Sequence, residues 1–572
     1  MIKNIHKMND RKIGHSAGSG FKKAKMRSAM ALFLASTFVL AGCGKDKTKT
    51  MKTQNASLTE YGGLTAEDNK ERTCYEVFVY SFADSDGDGI GDLKGLTKKL
   101  DYINDGDPKT TSDLGCTEIW TMPVFPSPTY HKYDATDFMD IDSQYGTMED
   151  FEALLSECHK RGIKLIIDLP LNHTSNSHPW FTEAATYISS LKEGEKPDSS
   201  KCKYVDYYNF QEQAHSGYEH LSGDWYYEAR FWSGMPDLNL DEPQVKEEIK
   251  EILYFWMDKG VDGFRLDAVT SYYTEEKDKS IDFTGWVNDT VKAKNPDAYI
   301  VGEAWADQSI YSEYYRSGAD SFFDFGFSGQ DGVIASVVRG AKKASYYAEQ
   351  LVKEEELYYK IAPDTAINAP FYTNHDMARS AGYYAYDDGS KAKLAGAMNL
   401  LATGNAFIYY GEELGMRGSG KDENKRLAFP WTTDSSSELS SLVCRGPADA
   451  DKVEQKYGSF EEQEKDEYSI YNYYKNAIRI RNAFPAISKG RTEIIDSLTG
   501  DKTCGFTRKI EGIDGEDVLI VINTGEDEVK LDMADASEYK KLAAFLTVAK
   551  DAPKLKSGKL TLPGYGIAIL TK

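Results

Sequence analysis

Four short segments of the sequence carry acidic side chains at positions where β-strands would end. Residues 168–173 read Asp-Leu-Pro-Leu-Asn-His, and residues 263–268 read Gly-Phe-Arg-Leu-Asp-Ala. Residues 301–305 contain a glutamate, and residues 373–376 end in His-Asp. Asp, Glu and His side chains that converge in one place can donate and accept protons in a reaction. A single aspartate at the end of a strand is usually structural. Four such segments in this order, two of them with a histidine, indicate a reaction centre.

The elements that must position these side chains are predicted from hydrophobic patterning. Short β-branched and aromatic runs alternate with amphipathic segments, which is the pattern of repeated strand–helix units. The predicted helices include 149–161, 243–259 and 467–484. Eight strand–helix units form a (β/α)8 TIM barrel, an α/β fold that gathers its chemistry where the strands end. The eight predicted strands are 75–80, 118–123, 164–169, 262–267, 299–304, 321–325, 368–373 and 406–410.

Two parts of the chain depart from this alternation. Residues 174–232, between the third and fourth strands, are too long for a loop and predict a small inserted domain. After about residue 488 the helices stop and alternating strands follow, which predicts an antiparallel C-terminal β-domain. The strands expected there are 503–509, 517–523, 528–532, 542–547 and 559–570.

The four acidic segments resemble, residue by residue, the conserved regions of the α-amylase superfamily of glycoside hydrolases, family 13. Residues 115–123, 127–134 and 409–416 match further regions of that family, and the resemblance runs from Cys74 to Lys572. The family architecture implies the following division: a barrel (domain A) over 73–173 and 233–487, domain B over 174–232, and domain C over 488–572.

The resemblance implies a retaining glycoside hydrolase with three catalytic carboxylates. It makes Asp267 the nucleophile, Glu303 the acid/base and Asp376 the carboxylate that binds sugar hydroxyls. Retaining enzymes need the first two about 5 Å apart. Arg265 lies two residues before Asp267, so the two side chains point the same way from the strand. A guanidinium there keeps the nucleophile ionised, whereas Glu303 needs a raised pKa to hold its proton near neutrality.

The implied substrate is an α-glucan of the starch type. The aromatic content, 12% of the chain, suits a cleft that covers the apolar faces of sugars, although large barrels also bury many aromatic residues. Tyr133 is expected to stack on the sugar in the cleaved subsite. Next to it Lys132 stands where the family often has Gly. The implied substrate-binding residues are Tyr133, His131, His173, Arg265, His375 and Arg379.

Two short segments that resemble family members predict which glycosidic bond is cleaved. Residues 235–239 resemble a form intermediate between oligo-1,6-glucosidases and neopullulanases, which several exported bacterial α-amylases share. Ala268 directly after the nucleophile resembles members that act on α-1,4 bonds. We therefore expect α-1,4 cleavage. The alternatives are a 4-α-glucanotransferase, an exo-acting α-glucosidase or neopullulanase-type enzyme on the same scaffold and, more remotely, a non-catalytic glucan-binding protein.

The loop after the first predicted strand has aspartates at alternate positions. Such oxygen ligands suit a hard cation, so calcium is favoured over zinc. The loop begins like an EF-hand, but its twelfth position is Gly95 instead of a bidentate Glu. The resemblance does not extend to a second family calcium site, at Asn172, because the partner His after the nucleophile segment is absent from residues 269–271. The expected Ca²⁺ ligands are Asp84, Asp86, Asp88, Ile90 through its carbonyl, and Asp92.

The N-terminus resembles the signal peptide of a bacterial lipoprotein. Four basic residues precede an apolar run over 29–41 that is too short for a spanning helix, and the run ends in Leu-Ala-Gly-Cys at residues 40–43. Residues 1–42 are predicted to be removed, and Cys43 to carry the lipid that holds the protein at the outer face of the cell membrane. Residues 43–72 then form a polar, flexible tether.

Charge and cysteine content limit the partners. A net charge of −23 and a sequence pI near 5.0 exclude nucleic acid, which needs a basic surface. The six cysteines after Cys43 are scattered without a framework spacing, and the sequence does not pair them. We expect a monomer whose partners are its glucan substrate and, through the lipid anchor, the membrane.

Overall fold

The computed structural model describes residues 70–384, 386–513 and 515–572. Eight parallel strands form one sheet, numbered along the whole chain: β1 Thr73–Val77, β2 Glu118–Thr121, β3 Lys164–Leu169, β7 Gly263–Leu266, β8 Tyr299–Gly302, β9 Ser321–Phe323, β10 Ile367–Ala369 and β11 Ala406–Tyr409. They pair in the order β10-β9-β8-β7-β3-β2-β1-β11, and a bridge between Phe371 and Phe407 joins the two edges into a nearly closed barrel. The predicted (β/α)8 barrel is confirmed.

Several strands end earlier than their hydrophobic runs. The first was predicted to reach residue 80, but Val79–Phe82 forms one helical turn instead. Ser81 and Phe82 are fully buried there, because the chain turns over the barrel end rather than continuing along it. Burial at the barrel end therefore extends the apolar pattern beyond the hydrogen-bonded strand.

Most of the helices pack around the barrel; Met148–Lys160 and Pro243–Lys259 bury one face each, whereas Ser390–Leu400 is buried from Ala392 to Leu400. Helix Met148–Lys160 begins with a capping box between Thr147 and Asp150, and Pro243–Lys259 begins with proline in its first turn and ends at Gly260 with φ 101°. The other helices are Leu93–Lys98, Leu100–Ile103, Pro179–Ser190, Lys277–Lys294, Gln308–Tyr311, Val333–Val338, Ala344–Ile361, Ser390–Leu400, Asp422–Lys425, Phe460–Gln463, Ile470–Ala483 and Pro485–Lys489. Among the described residues, none of the helices has the length and apolar character needed to cross a bilayer. Cys43 lies outside the described residues.

The insertion after β3 contains helix Pro179–Ser190 and a small antiparallel sheet. The sheet consists of β4 Phe210–Gln211, β5 Tyr218–Ser222 and β6 Trp225–Glu228, in the order β4-β6-β5. Where the chain returns from the insertion to the barrel, an isolated β-bridge pairs His173 with Asp237. The Asn172 side-chain amide also donates to Asp237 at 3.0 Å. The insertion therefore joins the barrel close to the end of β3.

The C-terminal part is antiparallel, as predicted. The predicted strand 559–570 is two strands, because the chain turns through Gly564 and Gly566 between them. A separate apolar core that includes Leu519, Leu560 and Leu570 lies between the two sheets. The five-stranded sheet contains β12 Arg491–Ile494, β13 Thr503–Lys509, β14 Val518–Asn523, β19 Ile567–Thr571 and β16 Lys541–Leu546, and the three-stranded sheet contains β15 Val529–Asp532, β18 Lys559–Leu562 and β17 Lys554–Lys556.

One buried ion pair joins the barrel to the C-terminal sheet. Arg508 of β13 contacts the Glu355 carboxylate of helix Ala344–Ile361 at 2.7 Å, and both side chains are at most 8% exposed. Glu355 also accepts from the Thr492 backbone N–H at 2.9 Å. Loss of the carboxylate charge leaves a guanidinium buried without its counter-ion, which is costly in a low-dielectric interior.

We expect Glu355→Gln to lower the free energy of unfolding by about 3–5 kcal/mol, since it removes one partner of a buried pair. Thermal and denaturant unfolding measure the change. Glu356→Gln is the matched control, because Glu356 is the next residue of the same helix and is exposed. Equal stability of the two variants would contradict the assignment.

Candidate active site

A cavity of about 600 Å³ opens where the barrel strands end. Six of the predicted catalytic and substrate-binding residues line it, although they come from four different strand ends and one loop. The structure thus brings together side chains that are up to 245 positions apart because parallel strands end at one rim of the barrel. The six residues are His131, Tyr133, His173, Asp267, Glu303 and Asp376.

Arg265 lies beneath this cavity and holds its carboxylates. The side chain is fully buried, and its Nη1 atom contacts Asp168 Oδ1 at 2.8 Å and Asp267 Oδ1 at 2.6 Å. Its Nη2 atom lies 3.1 Å from Glu303 Oε2. Asp267 and Glu303 therefore contact neighbouring nitrogens of one rigid guanidinium, which fixes both carboxylates at short range from each other.

The surroundings of Glu303 keep its carboxyl group protonated near neutrality. Burial raises the pKa of Glu303 to about 7, although the Arg265 cation opposes this shift. Oε2 accepts from the backbone N–H of Ala268 at 3.1 Å. Oε1 is buried and has no hydrogen-bond partner among the described residues. One oxygen is thus held by the protein, while the other is free to serve a bound molecule.

Asp376 is surrounded by cations and stays ionised. Its two oxygens lie 3.1 Å from His375 Nε2 and 2.9 Å from Arg426 Nη2. Burial alone would raise the pKa of Asp376, but His375 and Arg426 outweigh it and hold this pKa well below its ordinary value. Burial likewise opposes the charge of His375, yet Asp376 and Glu76 raise its pKa to about 9. Asp376 can therefore accept hydrogen bonds from sugar hydroxyls.

Tyr133 connects this pair to the floor of the cavity. Its hydroxyl donates to Asp168 Oδ2 at 2.9 Å, and its ring stacks on His375 with centroids 5.3 Å apart. His173 contacts the Tyr133 carbonyl at 3.2 Å, while its Nδ1 atom has no partner among the described residues. Burial lowers the pKa of His131 to about 3, so this ring is neutral. The cavity thus offers uncharged imidazoles beside an ionised aspartate.

Three predicted substrate-binding residues lie behind the cavity wall. Arg265 and His375 are fully buried and hold the carboxylates described above. Arg379 donates instead to the carbonyls of Tyr410 at 2.7 Å and Lys425 at 2.8 Å, and its guanidinium lies 4.4 Å from the Tyr409 ring centroid. Its position is set by stacking and backbone carbonyls, so it is a support of the wall rather than part of its surface.

Sequence reasoning missed Arg426, the arginine that does line the cavity. It follows the short helix Asp422–Lys425 and pairs with Asp422 as well as Asp376. No strand end or periodic pattern marks this loop. The Asp422 to Arg426 spacing of four residues is the only local signal, since it suits an ion pair across one helical turn.

Exposed aromatic side chains stand at the rim of the cavity. Trp305, two residues after Glu303, is 54% exposed and stacks on Phe325 with centroids 4.9 Å apart. Phe231 and Trp232, at the end of the insertion, are 48% and 47% exposed. Flat apolar rings with open faces are suited to contact sugar rings. The sequence offered a signal for Trp305 in its position beside Glu303, but none for Phe231 and Trp232.

Comparison with known proteins agrees with this geometry. Residues 76–490 match the profile of the alpha amylase catalytic domain. Alpha-amylase 3 of Dictyoglomus thermophilum is 40% identical over 475 residues, which cover 82% of this chain and 87% of that protein. The chain belongs to the alpha-amylase family of glycoside hydrolases. It is an enzyme of that family, and its predicted membership is confirmed.

Other relatives show the range of the alpha-amylase family around this chain. The structure of Eubacterium rectale Amy13B superposes with a TM-score of 0.86 at 50% identity, covering 91% of this chain and 99% of that one. An oligo-1,6-glucosidase of Heyndrickxia coagulans is 30% identical over 556 residues, covering 82% of this chain and 94% of that protein. The family assignment therefore leaves the bond specificity open.

The aspartate loop of this alpha-amylase family member forms a compact acidic cluster. Carboxylate oxygens of Asp84, Asp86 and Asp88 lie within 4.8 Å of one another. Asp92 lies outside this group of three, and its oxygens accept from the backbone N–H groups of Ser85 and Gly95 at 2.7 and 2.8 Å. Three close, hard oxygen donors fit a divalent cation such as calcium. The Ile90 carbonyl remains a predicted ligand.

The raised pKa of Glu303 predicts an alkaline limit to activity. The group must carry its proton to act as an acid, and that proton is lost as the pH rises through about 7. We therefore expect kcat/KM on maltotriose to fall about tenfold per pH unit above this value. Rates across pH 4–10 measure it. If the rate instead began to fall near the ordinary glutamate pKa of about 4.3, burial would not raise the pKa of Glu303 and the prediction would be wrong.

Proposed function

We propose that this chain hydrolyses α-1,4-glucosidic bonds in starch and maltodextrins with retention of configuration, through a covalent glycosyl-enzyme intermediate. The observation that carries the proposal is the shared guanidinium: Asp267 and Glu303 contact Nη1 and Nη2 of Arg265 at 2.6 and 3.1 Å. Retaining glycosidases hold their carboxylates about 5–5.5 Å apart, whereas inverting enzymes leave room for a water between them. Two carboxylates on one guanidinium favour the shorter spacing.

The chemical steps follow from the two environments. Arg265 binds Asp267 Oδ1 and leaves Oδ2 to attack the anomeric carbon, while Glu303 Oε1 gives its proton to the departing glycosidic oxygen. The bond to the leaving sugar breaks as the bond to Asp267 forms. Ionised Glu303 then takes a proton from water, whose oxygen attacks the same carbon and releases Asp267. Each displacement inverts the carbon, so the product keeps its configuration.

The α-1,4 preference is supported by the likeness to an alpha-amylase at 40% identity and by Ala268 after the nucleophile. The aromatic rim also suits a polymer, because the exposed rings of Phe231, Trp232 and Trp305 line the same cavity as the carboxylates and can contact several sugars. The same scaffold serves transferases and exo-acting enzymes, since water and sugars compete for one intermediate. Product analysis on long maltodextrins separates these outcomes.

The test combines product stereochemistry with two variants. NMR of fresh digests should show α-anomeric products, and chain lengths should only decrease. Asp267→Asn should lower kcat by several orders of magnitude with the fold retained, because no covalent bond can form. Glu303→Gln should do the same on maltodextrin, yet it should spare the first displacement on substrates with activated aryl leaving groups, because such groups depart without an acid.

Asp137→Asn is the matched control, because Asp137 is an exposed carboxylate that does not line the cavity. It should keep the parent rate. β-Anomeric products, or full maltodextrin activity of either active-site variant, would refute the proposed mechanism. Products longer than the starting maltodextrin would instead assign the enzyme to transfer.

We also propose that the acidic cluster binds calcium. Asp84, Asp86 and Asp88 supply the oxygen donors, and Gly87 and Gly89 adopt φ values of 87° and 88° that let the loop fold around one point. A cation bound only by the folded state stabilises it through mass action. Its role here is to hold the loop after β1, and the hydrolytic steps do not pass through it.

Calcium at 100 times its Kd should stabilise the fold by about 2.7 kcal/mol, and chelator should remove the effect. The melting temperature with and without the ion measures it. Asp86→Ala plus Asp88→Ala should abolish the response. Asp137→Ala plus Asp140→Ala removes the same charge from other exposed positions and should keep it. An unchanged response in the first double variant would place the ion elsewhere.

The location of the enzyme is a further part of the proposal. The lipoprotein-like segment that ends at Cys43 supports export and lipid anchoring at the cell surface. A diacylated cysteine buries two chains, which suffice for stable attachment where one does not. Such a position suits an enzyme whose polymeric substrate is too large to be imported.

A further inference from the structure

Lys132 has an unusual backbone for a residue with a side chain. Its φ is 66°, in the left-handed region that favours glycine. Among the described residues only five non-glycine positions have positive φ, and Lys132, at 1% exposure, is the most buried of them. Backbone strain of this kind persists only where the surrounding contacts hold it in place. The contacts of the side chain therefore have to compensate for it.

The ammonium group of Lys132 ends in a closed polar pocket. It lies 2.7 Å from Asp142 Oδ2 and 2.7 Å from Gln144 Oε1, and 5.5 Å from the ring centroid of Tyr145. The side chains of the Lys132–Asp142 pair are 2% and 8% exposed. A buried ion pair with further hydrogen bonds has a narrow set of allowed geometries. Glycine at this position would remove the strain but also every one of these contacts.

Asp142 is itself fixed to the barrel end. Its carboxylate accepts from the backbone N–H groups of Ser127 at 3.1 Å and Gln144 at 2.9 Å, and its own N–H donates to the Val124 carbonyl at 2.8 Å. Val124 follows β2 by three residues. The ion pair therefore ties the turn that contains Lys132 to the rigid edge of the barrel from two directions.

The two residues next to Lys132 both line the catalytic cavity. His131 Nδ1 accepts from the Tyr133 backbone N–H at 3.1 Å across the strained residue. Tyr133 reaches Asp168 and His375, the partners of Arg265 and Asp376 respectively. Any change in the φ of Lys132 rotates these two rings relative to each other. Their placement thus depends on a side chain that points away from the cavity.

We propose that Lys132 is a positioning residue, whose buried ion pair with Asp142 holds His131 and Tyr133 in the geometry needed for sugar cleavage. The inference rests on the proposed function, because it assigns Tyr133 to the cleaved subsite. Lys132 contacts no cavity atom, so it acts only through its neighbours. Preorganisation of this kind speeds the reaction more than it tightens ground-state binding.

The main test is the double variant Lys132→Gly plus Asp142→Asn. It removes the strain and the charge pair together, so neither a strained backbone nor an unpaired buried charge remains. We expect kcat on maltotriose to fall about 10- to 100-fold with KM changed less than threefold, as a misplaced stacking ring predicts. Stopped assays well below the melting temperature measure both constants.

The single variant Asp142→Asn provides a second measurement, because asparagine has nearly the same shape as aspartate. It keeps the lysine and its bond to Gln144 but weakens the pair, and we expect kcat to fall at least about threefold. Glu355→Gln is the matched control, since it breaks a buried ion pair remote from the cavity. That control should lower the melting temperature and leave kcat and KM at parent values.

Parental kcat in either folded Lys132–Asp142 variant would overturn the inference, and so would a loss of kcat of the same size in Glu355→Gln. A double variant that fails to fold leaves Asp142→Asn to decide. A parent enzyme that is inactive on starch and on long maltodextrins would instead refute the proposed function, so the two failures are distinguishable.

Discussion

The guanidinium of Arg265 is fully buried and contacts three carboxylates, those of Asp168, Asp267 and Glu303. One positive charge cannot balance three negative charges in a low-dielectric interior, where each unpaired ion costs several kcal/mol. A proton retained on one of the acids relieves the imbalance, and burial raises the pKa of Glu303 to about 7. Arg265 thus orients the proposed nucleophile, while burial outweighs the effect of the same cation on Glu303 and raises the pKa of this neighbouring acid, as a pair of unequal carboxylates requires.

The barrel makes this arrangement possible through strand register. Asp168 of β3 lies opposite Arg265 of β7, and Arg265 lies opposite Val301 of β8. Asp267 and Glu303 each follow their strand's paired residue by two positions, and alternate residues of a strand share a face. Three adjacent strands therefore bring the four groups together. A shift of one residue in either register would turn a carboxylate away from the guanidinium.

The loops complete the centre with charges and rings that the strands do not supply. Arg426 and His375 stabilise the ionised form of Asp376, each through a different carboxylate oxygen. Phe231 and Trp232 reach the rim from the insertion after β3, while Lys132 anchors the turn before Tyr133 through Asp142. The strand framework sets the acid–base chemistry, and these loop contacts shape the space in which a sugar chain is expected to lie.

The sequence by itself determined the barrel strands and the three strand-end carboxylates, because strand patterning is local and parallel strands end at one rim. It overextended β1, since apolar residues at the barrel end are buried in a helical turn. Only the tertiary structure decided that Arg379 and His375 support the wall while Arg426 faces the cavity. Asp376 and Arg426 are 50 residues apart in different loops, and no local pattern encodes such a contact. Their meeting depends on barrel closure and on the packing of the loops above it.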